Sequence, residues 1–279
     1  MRGGTPSVPR RRGRGAIGTA IVVSLLVSGA CSSGSASGPV TGGSPSAAGG
    51  SEIVVLAASS LTEAFTQIGQ DFEAKNPGVA VRFSFGPSDG LAGQIEQGSP
   101  ADVFASASET WMDSVANAGP GATDRSDFAR NRLVILTPSD NPAGISSLVD
   151  LGDPGVKLVL ATKGVPAGDY AREALANADV GTEAEANVVS NEQDDKSLVQ
   201  KIVLGEADAG IVYVTDLTSD VEADLHPVTI PKGQNVIATY PIAAVAGGEH
   251  ADVAEAFVDY VTGPEGQNTL HRFHFLPPT

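Results

Sequence analysis

Two serines stand where an apolar, strand-like run passes into a helical pattern: Ser60 and Ser88. Two further helical patterns open at Ala167, after a proline, and at Asp195. The first amides of a helix have no intrahelical acceptor, and the helix dipole places partial positive charge at the same end. Each of these four positions could therefore help to bind an anion.

Several such helix starts facing one cleft would present neutral hydrogen-bond donors. In open α/β sheets, ligands bind beyond the carboxyl ends of the strands, which is where these turns lie. A fully ionised oxyanion needs no counter-cation if enough amides and hydroxyls surround it. A site made only of donors would reject a protonated competitor such as hydrogen phosphate. The residues therefore favour molybdate, tungstate or sulfate over phosphate.

Other interpretations of the same residues must be weighed. Ser60, with Glu63 three residues later, fits a capping box that only satisfies helix amides. The segment 86–90 matches the G-x-S-x-G pattern of a hydrolase with Ser88 as nucleophile, although too few strands precede it. His271 and His274 are three residues apart, but the sequence offers no third metal ligand. We expect neither an enzyme nor a metal site.

The charge of the chain limits its partners. Its formal net charge is −16, and five arginines lie within the first 14 residues, so the remainder is more acidic still. Such a charge argues against nucleic acid as a partner. It also repels anions, so an anion site here must depend on short-range dipoles rather than on net charge.

The N-terminus has the features of an export signal. The arginines are followed by a short apolar stretch, and Ser28-Gly29-Ala30-Cys31 resembles a bacterial lipobox, with Ser28 where leucine is usual. We expect residues 1–30 to be a lipoprotein signal peptide and Cys31 to be lipidated, which anchors the protein to the outer face of the cell membrane. An ordinary secretory signal with a periplasmic product is the alternative, and the paired arginines also fit twin-arginine export. Residues 31–51, rich in Gly, Ser and Ala, predict a flexible tether.

Apolar runs of two kinds alternate from residue 52 onward. Short β-branched runs predict strands at 53–56, 79–85, 102–105, 133–136, 158–161, 210–214 and 237–246. Helical spacing lies between them, for example at 61–72, 168–178, 195–204 and 251–261. The alternation predicts an α/β protein with mixed, mainly parallel sheets flanked by helices.

Four segments together resemble the molybdate-binding proteins of bacterial ABC transporters. They are Val55-Leu56-Ala57-Ala58-Ser59-Ser60-Leu61-Thr62, Gly98-Ser99-Pro100-Ala101-Asp102-Val103-Phe104-Ala105-Ser106-Ala107, Val165-Pro166-Ala167-Gly168-Asp169-Tyr170-Ala171 and Ala209-Gly210-Ile211-Val212-Tyr213. They occur in the order and spacing of that family. The resemblance covers nearly all of residues 53–276.

The resemblance implies a ligand site for molybdate, and equally for tungstate, with no cofactor. By motif match, Ser60 and Ser88 would supply hydroxyls and amides, Ala167 an amide, and Tyr213 its phenol. The fifth position falls on Asp195, where the family pattern predicts an apolar or small residue. Its amide can still donate, but an ionised carboxylate aimed into the pocket would oppose an anion.

A shift of register at this position would place the fifth donor at Asp194 or Lys196 instead. Sulfate or another tetrahedral oxyanion is the alternative ligand, and a Ser88-dependent hydrolase is the remote alternative. The size of the cavity would decide between molybdate and the smaller sulfate.

The resemblance also implies the two-lobed, type II periplasmic-binding-protein fold. We expect residues 52–130 and 237–279 to form one lobe and residues 131–236 the other, joined by a hinge of two segments near 131–132 and 232–236. The anion would bridge the lobes, and the permease of an ABC importer would recognise the closed form. We expect a monomer.

Overall fold

The computed structural model describes residues 50–118, 121–248 and 250–279. The predicted signal peptide, Cys31 and nearly all of the predicted tether lie outside the described residues. Within the described residues no helix is both long enough and apolar enough to cross a membrane.

The described residues form nine strands, and the apolar runs of the sequence account for most of them. The strands are β1 Ser51–Ala58, β2 Val79–Gly86, β3 Val103–Ala105, β4 Ala122–Pro138, β5 Leu158–Ala161, β6 Val188–Glu192, β7 Ala209–Tyr213, β8 Leu225–Thr229 and β9 Ile237–Val245. The short strands β5 and β7 are buried along their whole length, as expected for strands that are covered on both faces.

Helices fill most of the intervals between the strands. Within the described residues they are α1 Thr62–Lys75, α2 Ser88–Glu96, α3 Glu109–Asn117, α4 Pro166–Asn177, α5 Gly181–Ala186, α6 Asp195–Val203, α7 Ala251–Thr262 and α8 Pro264–Arg272. The helix α1 buries Phe65, Ile68 and Phe72, which recur at helical spacing on one face. The elements α5, α8, β6 and β8 were not predicted from the sequence.

The strands are hydrogen-bonded in the order β2-β1-β3-β9-β4-β7-β5-β6, with β8 also on β4. Strand β1 is parallel to β2 and β3, and β5 is parallel to β6 and β7. The pairs β3–β9, β4–β9, β4–β7 and β4–β8 are antiparallel. The α/β fold class with mixed sheets is confirmed, and each outer group of parallel strands directs its carboxyl ends to a strand-to-helix turn.

Strand β4 is much longer than the sequence indicates, since only residues 133–136 of it were predicted as a strand. Most of their charged side chains lie at the surface, where Arg125, for example, pairs with Glu109 and Asp113 on α3. Two irregularities in the β4–β9 register also obscure the alternation of apolar and polar residues. Residues 122–132 pair with β9, whereas residues 133–138 pair with β7 and β8.

The hydrophobic core includes a chain of aromatic rings. Phe65 lies 5.6 Å from Phe128, Phe128 lies 6.3 Å from Tyr240, and Tyr240 lies 5.8 Å from Tyr213 between ring centroids. All four side chains are fully or almost fully buried. Two of them are tyrosines, whose hydroxyls need polar partners when they are buried, and both hydroxyls lie close to the candidate site.

Candidate anion-binding site

All five residues predicted for the site line the same small cavity. It lies between the starts of four helices, and only about 10 Å³ of it is open to the centre of a water-sized sphere. This is far less than the volume of pockets that hold drug-sized organic ligands, so it suits a small ion. The lining residues are Ala58, Ser59, Ser60, Gly86, Pro87, Ser88, Ala107, Val165, Pro166, Ala167, Asp194, Asp195 and Tyr213.

The Ser60 hydroxyl is held by a buried hydrogen-bond chain, not by a capping box. Its Oγ lies 2.8 Å from the Tyr240 hydroxyl. Helix α1 begins at Thr62, after a 3₁₀ turn over Ser59–Leu61, and no side chain caps it. The alternative interpretation of Ser60 as part of a capping box is therefore wrong, because α1 begins at Thr62 with Leu61 at its N-cap position.

The side-chain amide of Asn131 fixes the direction of the hydrogen bonds that lead to Ser60. Asn131 Oδ1 accepts the amide of Arg132 at 2.9 Å, which fixes the orientation of the side-chain amide. Asn131 Nδ2 therefore donates to Thr215 Oγ1 at 2.8 Å and to the Tyr240 oxygen at 3.4 Å. Donation of the Tyr240 proton to Ser60 Oγ satisfies the buried phenol in this arrangement. The proton of Ser60 then remains available to the cavity.

The hydroxyl proton of Ser88 is also available to the cavity, because its oxygen has a backbone amide as partner. Its Oγ accepts the amide of Ala107 at 3.0 Å, so its own proton is also available. The turn that carries Ala107 is fixed by Ser106, whose hydroxyl accepts the amide of Ser108 at 3.0 Å and donates to its carbonyl at 2.8 Å. Ser88 is the first residue of α2 and is only 1% exposed.

Ala167 is brought to the cavity by a close approach of helix to strand. It is the second residue of α4, after Pro166, so its amide has no intrahelical acceptor. Gly168 beside it has no space for a side chain, since a Cβ there would lie 2.4 Å from the carbonyl oxygens of Ala161 and Thr162. The start of α4 can therefore lie directly against the end of β5.

Tyr213 is the last residue of β7, and its side chain is 1% exposed. Its hydroxyl has no hydrogen-bond partner among the described residues. Burial raises the pKa of the phenol well above its ordinary value, and the nearby Tyr240 adds to the shift. The phenol therefore stays protonated and can donate to an anion. Its amide donates to the Asp216 carboxylate at 2.9 Å, which fixes the end of the strand.

Asp195 is the unusual member of the cavity lining. It is the first residue of α6 and only 5% exposed, and its Oδ1 has no partner among the described residues. Asp194 caps the helix instead, because its carboxylate accepts the amide of Ser197 at 2.8 Å. Burial raises the pKa of Asp195 to about 7, and the charge of Asp194 adds to the shift.

Side chains also join the two sides of the cavity. Lys196 on α6 donates to Glu63 on α1 at 2.9 Å. The Trp111 indole on α3 donates to the carbonyl of Gly164, just before α4, at 2.9 Å. These contacts connect residues 52–130 with residues 131–236 at the rim of the cavity.

Comparison with known proteins places the chain in a family. The family described as bacterial extracellular solute-binding protein matches residues 53–276. The molybdate-binding protein ModA of Mycobacterium tuberculosis is 39% identical over 262 residues, which cover 94% of this chain and 98% of that protein. The chain belongs to the bacterial extracellular solute-binding proteins.

Solved structures agree with this assignment. The substrate-binding domain of a putative molybdenum ABC transporter from Clostridium difficile is 27% identical, with a TM-score of 0.64 over 82% of this chain and 99% of that one. The sulfate-binding protein SubI of M. tuberculosis has a TM-score of 0.71 at 20% identity, over 81% of this chain and 87% of that one, and shares the fold. The predicted resemblance and the type II periplasmic-binding-protein fold are confirmed.

The residues behind two further interpretations can also be located. No histidine is among the described residues that line the cavity beside Ser88. His271 lies in the last turn of α8 and His274 just beyond it. Within the described residues no group of three or more His, Cys, Asp or Glu residues could hold a metal ion.

Sequence reasoning missed the residues behind the site. Tyr240, Asn131 and Thr215 form the chain that ends at Ser60, and Asp216 fixes Tyr213. Only Tyr240 gave a signal, since it is a tyrosine within the apolar run of β9 and a buried phenol needs a partner. Asn131 lies far from the other site residues in sequence, and Thr215 and Asp216, although they follow Tyr213 closely, carry no pattern that links them to the site.

Proposed function

We propose that this solute-binding protein captures molybdate in the cavity between its four helix starts and delivers it to an ABC importer. The observation that carries the proposal is the convergence of Ser60, Ser88, Ala167, Asp195 and Tyr213 on one cavity of small volume. The named molybdate-binding relative, which matches almost the whole chain, supports the choice of ligand.

The donors suit a tetrahedral dianion. Two serine hydroxyls with free protons, the free phenol proton of Tyr213 and the first amides of the helices can point at the oxygens of the anion from several sides. Buried donors of this kind are already oriented, so little reorganisation opposes binding. Tungstate has nearly the size and charge of molybdate, and we expect the site to accept both.

Sulfate is the second candidate, because a sulfate-binding protein shares the fold. Sulfate is the smaller ion, and in a rigid cavity sized for molybdate its oxygens would lie too far from some donors. Hydrogen bonds weaken steeply beyond the normal distance. We therefore expect weak sulfate binding.

Capture would involve two lobes, with residues 52–130 and 237–279 in one and residues 131–236 in the other. The change of partner of β4 between Arg132 and Leu133 supports a boundary there. Asn235 on the second crossing segment accepts the Leu133 amide at 3.0 Å and donates to its carbonyl at 2.8 Å. This pair would hold the two hinge segments together while the lobes close on the anion.

The family acts outside the cytoplasm, which agrees with the predicted export signal. We further propose that Cys31 carries the lipid anchor and that residues 32–50 act as a tether, which ends one residue earlier than the sequence predicts because Ser51 begins β1. We also propose that the permease of the importer recognises the monomeric protein in its closed form. Replacement of Cys31 by serine tests the anchor, since the protein should then leave the membrane fraction. Retention on the membrane would contradict lipidation.

Calorimetric titration with molybdate, tungstate, sulfate and phosphate tests the ligand. We expect binding of molybdate and tungstate, with sulfate at least tenfold weaker. Tyr213→Phe should weaken molybdate by roughly tenfold or more, because a hydrogen bond to a charged group contributes about 1.5–3 kcal/mol. Tyr260→Phe, on α7 and away from the cavity, is the matched control. Binding of phosphate but not molybdate would refute the assignment.

A further inference from the structure

Two acidic residues, Asp194 and Asp195, line a cavity whose other polar groups are hydrogen-bond donors, and the Asp194 carboxylate already accepts the Ser197 amide. Asp195 is 5% exposed and its Oδ1 lacks a partner among the described residues. An ionised carboxylate there would repel any anion that enters. A protonated carboxyl would not, and it would add one more donor to the cavity.

The surroundings of Asp195 oppose its ionisation from several elements. On its own helix Asp194 is a carboxylate, although it is turned toward the amide of Ser197. After β7, the buried Asp216 accepts the Tyr213 amide, and the charge of Asp195 helps to raise the pKa of the Asp216 carboxyl. Burial is the largest cause in both carboxyls and raises the pKa of each.

The other titratable groups near Asp195 supply little positive charge that would offset an ionised carboxylate. Lys196 is engaged with Glu63 of α1 at the rim. Tyr213 and Tyr240 carry buried phenols that stay protonated. Across the cavity, α2 carries Asp89 in its first turn and α4 carries the half-buried Tyr170. No cation among the described residues lines the cavity, so an anion placed beside Asp195 meets an uncompensated carboxylate unless a proton is bound.

We propose that Asp195 takes up one proton when the oxyanion enters the cavity, so that capture of the anion is coupled to uptake of a proton. The proposal rests on the function proposed above. The proton comes from the solvent and is held on the Asp195 carboxyl, and the anion itself stays fully ionised. The bound complex therefore gains one negative charge instead of two.

The coupling gives affinity a definite dependence on pH. Free Asp195 has a pKa of about 7, so at lower pH the proton is already present and affinity is constant. At higher pH the binding of each anion requires Asp195 to take up a proton from the solvent, and the affinity falls up to tenfold per pH unit. Anion would thus be held more firmly in acidic surroundings and released more readily in alkaline ones.

Calorimetry with molybdate, in buffers of different ionisation enthalpy, tests this. We expect uptake approaching one proton per anion at about pH 8, less uptake at about pH 6.5, and an affinity roughly tenfold lower at the higher pH. Asp195→Asn keeps the shape but cannot ionise. It should bind molybdate without proton uptake and with the same affinity at both pH values, tighter than the unaltered protein at about pH 8.

The possible failures are distinguishable. Binding of molybdate without proton uptake, or proton uptake that persists in Asp195→Asn, overturns this inference and leaves the proposed function intact. Uptake that disappears in Asp216→Asn but not in Asp195→Asn also overturns it, since the wrong carboxyl was assigned. Absence of molybdate binding at every pH, in both the unaltered protein and Asp195→Asn, overturns the proposed function together with the inference.

Discussion

Replacement of Tyr240 by phenylalanine tests how the Ser60 hydroxyl is oriented. The substitution keeps the ring, which packs against Tyr213 and Phe128, and removes only the hydroxyl. Ser60 Oγ then loses its 2.8 Å partner, while Asn131 keeps its 2.8 Å bond to Thr215. One buried hydrogen bond is lost outright and the weaker 3.4 Å contact is lost with it.

The expected magnitude follows from these distances. The net value of a hydrogen bond is about 0.5–1.5 kcal/mol, and a partner left unsatisfied in a buried place adds to the loss. We expect the free energy of unfolding to fall by about 1–2 kcal/mol. Ser60 can still donate to the anion but is no longer held in position, so the affinity for molybdate should fall by roughly three- to thirtyfold, which corresponds to about 0.7–2 kcal/mol.

A double-mutant cycle separates an effect through Ser60 from a general loosening of the fold. Calorimetry gives the molybdate affinity and urea denaturation gives the stability of Tyr240→Phe, Ser60→Ala and the double variant. If Tyr240 acts through Ser60, its replacement has little further effect on affinity once Ser60 is alanine. Losses that simply add in the double variant would refute the reasoning. Tyr260→Phe serves again as the control.

Three more substitutions follow from the packing and charge of the site. Gly168→Ala should lower the free energy of unfolding by about 2–4 kcal/mol and weaken molybdate binding, because the new Cβ would lie 2.4 Å from the Ala161 carbonyl oxygen. An unchanged urea denaturation curve would contradict that close contact. Asn235→Ala removes both hydrogen bonds to Leu133 and should lower the free energy of unfolding in urea by about 1–3 kcal/mol. A decrease smaller than the experimental error would show that these two hydrogen bonds contribute nothing to the hinge. Asp195→Asn should stabilise the anion-free protein increasingly as the pH rises. In the unfolded chain the Asp195 carboxyl ionises near its ordinary pKa, whereas in the folded protein it ionises only at about 7. The loss of folding stability caused by Asp195 is therefore absent at about pH 4 and amounts to about 2–4 kcal/mol above pH 7. Thermal unfolding at the two pH values measures this difference in stability between the variant and the unaltered protein. An equal increase in stability at both pH values would argue against ionisation of Asp195 as the cause.

The sequence by itself predicted the α/β fold class, and its resemblance to a known family predicted five residues that lie together at one cavity. Apolar runs and helical spacing predicted β1, β2, β5, β7 and β9 close to their observed bounds, because short buried strands and amphipathic helices carry local signals. Elements without such signals were missed. The first part of β4 has outward-facing charges and an irregular register, which hide its alternation.

The state of each site residue, in contrast, was decided only by the tertiary structure. Ser60 suggested a capping box from its local sequence, but a partner 180 residues away holds its hydroxyl. Asp195 suggested an amide donor, and its burial beside Asp216 makes it a candidate proton carrier as well. Local sequence determines which groups stand at the start of a helix. Whether such a group is buried, partnered or charged depends on residues that are distant along the chain and meet only when the sheet and helices pack together.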